Sequence, residues 1–159
     1  MSNRDEYLVI ENTRLRFPNF AGVATTYNPS GKRTFCVDIP MEMVADLEND
    51  GWNIRRTKPR DPDDIPVPYT QCVANFDRLP IPNVYRVAGG QQVRLTADTV
   101  GILDNDDIAY VDVVLQPYHW EFNGRSGVKG YLKSLYAVVR EDPFAEKYRQ
   151  RIEQEELPF

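Results

Sequence analysis

Histidine is nearly absent from this 159-residue chain and cysteine is scarce: there is one histidine, His119, and there are two cysteines, Cys36 and Cys72. Metal centres draw several His, Cys or acidic ligands at fixed spacing, and that pattern is missing. A cysteine–histidine nucleophile would have to pair His119 with one of the two thiols. Each cysteine sits in an apolar stretch, TFCVDI and TQCVANF, so two buried thiols are expected rather than a disulfide or redox pair. No apolar run approaches the roughly 20 residues of a membrane span. The opening MSNRDEYLVIENT lacks the basic-then-apolar pattern of a secretory signal. These shortages point to a cytoplasmic protein with no membrane association, no catalytic residues, no metal and no cofactor. Asp104, Asp106 and Asp107 lack the full pattern of a calcium loop and read as a solvated turn. GRSGVKG does not match the phosphate loop GxxxxGK[ST].

Positive charge is short as well. The net charge of −5 argues against a simple basic nucleic-acid binder, but the charge is unevenly placed. Arg125, Lys129, Lys133 and Arg140 fall in a segment with no acid, whereas residues 141–159 are rich in glutamate. Without that acidic end the body is near neutral, so the molecule is polarised.

The rest of the chain is strand signal broken by turns. Residues 7–17, 33–39, 52–58 and 69–76 read as strands. Residues 85–87 and 92–95 flank Gly89-Gly90 as a hairpin. Met43, Val44 and Leu47 share one face of a short helix over 41–49, with Gly51 placed to end it. Residues 59–68 form an exposed loop, and 96–103 a short helical turn. The longest strands, 108–122 and 128–140, flank Asn123-Gly124, the strongest short-range hairpin signal. Asp142-Pro143 opens a polar helix over 143–153. There is no internal repeat and no second core. The expected fold is mainly β: a small closed or partly open barrel with one or two short helices and a polar C-terminal helix and tail. Residues 1–141 form the domain and 142–159 the helix and tip.

A two-residue turn at Asn123-Gly124 pairs Phe122 with Arg125, Trp120 with Gly127, Tyr118 with Lys129 and Gln116 with Tyr131. One face then carries Tyr118, Trp120, Phe122, Arg125, Lys129, Tyr131 and Lys133. The other carries Val113, Leu115, Val128 and Leu132. Rings stack on any base at about 1–3 kcal/mol each, and interleaved cations neutralise phosphates. Duplex DNA hides its base faces, so this mixture suits single strands. The alternation alone reads somewhat more readily as a core of aromatics with solvated cationic ends, and a longer loop such as NGRSG would shift the register by one and scramble the faces. Arg14 and Arg16 on the first strand, and Lys32 and Arg33 opening the second, are further basic candidates. Arg55, Arg56, Lys58 and Arg60 form another cluster, with Asp61, Asp63 and Asp64 following at once, and each of these clusters taken alone reads more readily as a solvated face.

The last residues, Glu153 to Phe159, end in Glu155, Glu156, Leu157, Pro158 and Phe159. An apolar ring among acids suits a peptide ligand for a basic, pocketed partner, or a frayed terminus. This tip resembles the acidic tip of bacterial and phage single-stranded DNA-binding proteins. The body resembles a phage-encoded single-stranded DNA-binding family with an OB-fold. ENTRLRFPNFAG, RTFCVDI, DGWNIRRTKPRD, DTVGILD, VDVVLQPYHWEFNGRSGVKGYLKSLY and EDPFAEKY carry the likeness, in order, over most of the chain. It implies an OB barrel and single-strand binding without sequence preference in phage replication or recombination, in the host bacterial cytoplasm. It also implies that Glu155, Glu156, Leu157, Pro158 and Phe159 engage replication or recombination proteins. A homo-oligomer is left open. The alternative is a protein–protein adaptor or a strand-annealing recombination mediator.

Overall fold

The structure, a computed structural model, describes residues 6–141 and Phe144. The helix expected over 143–153 and the tip Glu155–Phe159 lie, Phe144 apart, outside the described residues.

The expected first strand is present but bent. It runs as β1 (Leu8–Thr13) and β2 (Leu15–Asn19), separated by Arg14 alone. Asn12 and Phe17 take φ of 52° and 50°, and each falls within a break in strand register. Such bulges turn a strand sharply, and they let one stretch serve two neighbours. β3 (Thr34–Asp38) pairs with β2, and the helix α1 (Met41–Asp50) follows. Val44 and Leu47 are buried and Met43 packs against the core. The strand expected over 52–58 shrinks to β4 (Arg55–Arg56), because Trp52 is drawn into the core. β5 (Pro68–Val73) pairs with β3 and β4. The hairpin β6 (Asn83–Ala88) and β7 (Gln91–Leu95) turns at Gly89-Gly90, and Val100–Asp104 forms a 3-10 turn.

β8 (Ile108–Phe122) and β9 (Arg125–Val139) complete the sheet. β1 lies antiparallel to β8, and the order runs β1–β8–β9–β5–β3–β2. Since β1 and β2 are one bent strand, the two ends of this order meet there, and the sheet curls into a partly open OB-like barrel. One edge of β9 meets β8 along its length. Its other edge runs parallel first to β5, at Gly130 and Tyr131, and then to β6. The interior holds Ile10, Phe35, Val37, Val84, Val113 and Leu115 among others, all essentially inaccessible. Phe20 stacks on Phe35 with centroids 5.0 Å apart. Trp52 lies so close over Gly130 that a Cβ there would come within 2.8 Å of its ring.

Candidate nucleic-acid interface

The two-residue turn holds. Phe122 faces Arg125, Trp120 faces Gly127, Tyr118 faces Lys129 and Gln116 faces Tyr131. Val113, Leu115, Val128 and Leu132 point inward and are buried. Tyr118, Trp120 and Phe122 are exposed on the opposite face. Asn123 and Gly124 both take positive φ, which a type I′ turn requires and an Asn-Gly pair tolerates. The outer face therefore does carry rings and cations together. Trp120 lies flat across Gly127, where a Cβ would fall 2.8 Å from the indole. Tyr118 meets Tyr131 edge-on at 5.9 Å, and Lys129 Nζ lies 5.8 Å from the Tyr131 ring.

Facing this hairpin is the loop over 20–33. Side chains brace it at both ends. Asn19 and Val23 exchange two hydrogen bonds, Val23 N–H donating to Asn19 Oδ1 at 2.8 Å. Asn28 likewise donates from Nδ2 to the Lys32 carbonyl at 2.8 Å and accepts from its N–H. Gly22 and Gly31 take φ of 70° and 69° and cross so closely that a Cβ on either would lie within 2.9 Å of the other's carbonyl oxygen. The Asp104 carboxylate accepts the Phe20 and Ala21 N–H groups at 2.7 and 3.0 Å. Tyr27 stands at the apex, 99% exposed.

Between loop and hairpin runs a groove of about 410 Å³. Tyr27 and Lys32 line one side, Trp120 and Lys129 the other, and Thr34, Gln71 and Val73 of β3 and β5 are also in its lining. Among the described residues no carboxylate lines it. Burial, and then the positive charge of Lys32, lower the Lys129 pKa from its ordinary value. Two cations with no acid in the lining favour an anion between them.

The remaining basic candidates separate clearly. Arg16 is held by Asp38 in a two-pronged ion pair, at 2.5 and 3.1 Å. Arg33 donates to the Phe20 and Ala97 carbonyls at 2.8 and 2.9 Å and lies over the Phe76 ring. Both therefore brace the barrel and the loop. Arg14 is exposed at the β1–β2 junction and does not line the groove. Arg125 and Phe122 sit at the hairpin tip, and Lys133 Nζ lies 5.4 Å from the Tyr7 ring. The aspartates read as a solvated turn are partnered instead. Asp104 pins the loop, Asp106 takes two hydrogen bonds from Arg86, and Asp107 approaches Arg140 at 3.7 Å. Tyr27 joins the groove lining although no strand pattern marks it. Its one local signal was an aromatic placed beside the Asn28-Pro29-Ser30-Gly31 turn.

A family model described as "Putative phage ssDNA-binding domain" matches residues 1–157. The chain belongs to this family. Comparison with curated proteins finds no match. Among solved structures, the single-stranded DNA-binding protein of bacteriophage Enc34 is similar in fold. It aligns at 13% identity and a TM-score of 0.55, over 88% of this chain and 84% of that one. Its C-terminally truncated form aligns at 13% identity and a TM-score of 0.53, over 87% and 88%. The Enc34 protein in complex with ssDNA aligns at 12% identity and 0.53, over 87% and 89%. At this identity the likeness concerns the barrel, while the phage ssDNA-binding family assignment rests on the sequence match.

Proposed function

We propose that this protein binds single-stranded DNA without strong base preference, in phage DNA replication or recombination, through the groove between the 20–33 loop and the β8–β9 hairpin. The observation that carries this reading is the acid-free lining, where Tyr27 and Trp120 stand beside Lys32 and Lys129. Rings offer stacking to unpaired bases of any identity, and the cations release counterions from phosphates. Tyr118, Tyr131, Phe122, Arg125 and Lys133 extend the same face. Arg14 adds longer-range attraction, while Arg16 and Arg33 hold the scaffold. The segment Glu155–Phe159 recruits a replication or recombination protein, its acids meeting basic residues and its Leu157, Pro158 and Phe159 filling a pocket. Titration of a fluorescent oligo-dT and of a matched duplex, each at two salt concentrations, tests the binding. Micromolar or tighter, salt-weakened affinity for the single strand, with weaker duplex binding, is the expected result. No binding at tens of micromolar protein would refute it.

A further inference from the structure

We propose that a second cavity, of about 480 Å³, is a further nucleotide subsite that receives the same strand after it crosses the Tyr118–Tyr131 ridge. This inference rests on the single-strand reading of the first groove. Tyr7, Arg78, Leu79, Ile81, Tyr131 and Lys133 surround the cavity. It adjoins the first groove through one contact. Tyr118 and Tyr131 are in its lining, and Lys129, which lines the first groove, lies with its Nζ 5.8 Å from the Tyr131 ring. A strand leaving Trp120 along the outer face of β9 therefore arrives here.

The lining has the chemistry of a base and a phosphate rather than of a peptide alone. Arg78 and Lys133 are cationic, and among the described residues no carboxylate lines the cavity. Leu79 is 80% exposed and Ile81 is also open to solvent. Apolar side chains held in water beside tyrosines form a surface for the flat face of a base. The amides of Asn75 and Gln116 also line it, and can both donate and accept at a base edge. Lys133 covers Tyr7 from one side, and the ring stays about half exposed.

The test compares oligo-dT of about 6 and about 20 nucleotides, one near the lower end and one beyond the upper end of the roughly 4–16 nucleotides per OB domain. The full chain carrying Tyr7→Ala and Arg78→Ala should bind the long oligonucleotide about tenfold more weakly and the short one as wild type does. Its salt slope should fall by about 0.7 on the long oligonucleotide only. Tyr27→Ala should weaken both lengths. Arg78→Glu alone, on an exposed side chain, repeats the test should the double variant fold poorly. Unchanged affinity for the long strand, or an equal loss at both lengths, would overturn the subsite while leaving the first groove intact. If the wild type bound neither length, the single-strand reading and the subsite would fall together.

Discussion

Trp120 and Trp52 each lie across a glycine of β9, yet they serve different ends. Trp52 is 7% exposed over Gly130, inside the barrel, whereas Trp120 is 38% exposed over Gly127, on the outer face. Trp52→Ala should cost about 3–5 kcal/mol of stability, as truncation of a core ring does. Trp120→Ala should instead weaken oligo-dT binding by about 1–3 kcal/mol and leave the melting temperature nearly unchanged. Thermal melts and titrations on both variants check the contrast, and a large stability loss in Trp120→Ala would return that ring to a structural role. Gly127→Ala makes a sharper version of the same test. The new methyl must displace the indole, so DNA affinity should fall towards that of Trp120→Ala while the fold persists. The thiols should be inert. Burial pushes Cys36 up to about 11 and Cys72 well above its ordinary value, so the reactive thiolate is scarce at neutral pH. Alkylation should be slow in the native protein and fast in denaturant. Rapid native labelling would contradict the placement of both.

At the scale of elements, the β8–β9 hairpin was readable because its determinants are local. Asn123-Gly124 sets the turn, the turn sets the register, and alternation sets the faces from the tip as far as Leu115 and Leu132, where a bulge shifts the register. Lys129→Ala and Lys133→Ala should each lower the log–log salt slope of single-strand binding by about 0.7. Unchanged slopes in folded variants would move the phosphate contacts away from this hairpin. The 20–33 segment was readable as a loop from its Asn28-Pro29-Ser30-Gly31 turn, but its shape was not, because what braces it lies far off in sequence. Asp104 reaches Phe20 and Ala21 across more than eighty residues, and from the sequence alone it looked like one more solvated acid. Its removal strands two N–H donors, so Asp104→Ala should cost about 1–3 kcal/mol of stability. It should also weaken oligo-dT binding, since Tyr27 and Lys32 ride on the loop. Asp104→Asn, which keeps an acceptor, should recover part of both losses. Likewise, the bend between β1 and β2 was hidden, because alternation across 7–17 continues through the positive φ of Asn12 and Phe17. Arg16 and Arg33 looked like DNA contacts on charge alone. Their acceptors, Asp38 and the Phe20 and Ala97 carbonyls, come into place only when the barrel closes.

On the scale of the whole molecule, a chain of net charge −5 presents, among the described residues, a local track lined by cations and no carboxylate, and we propose that its acidic C-terminal segment competes with DNA for it. Glu153, Glu155 and Glu156 are tethered to the domain that holds the track, which gives them a high effective concentration near it. Deleting residues 153–159 should raise single-strand affinity at low salt and raise it less at high salt, because exposed charges are screened. Equal affinity with and without the segment at low salt would refute the competition. The central claim is narrower: one outer face, from Tyr27 across Trp120 to Tyr131, holds the strand. Photo-crosslinking of the full chain to oligo-dT, with the attached residues read by mass spectrometry, tests it most directly. The account predicts crosslinks at Tyr27, Tyr118, Trp120 and Tyr131. Crosslinks confined instead to other surface rings, such as the Phe17–Tyr69 or Tyr85–Tyr136 pairs, would contradict it.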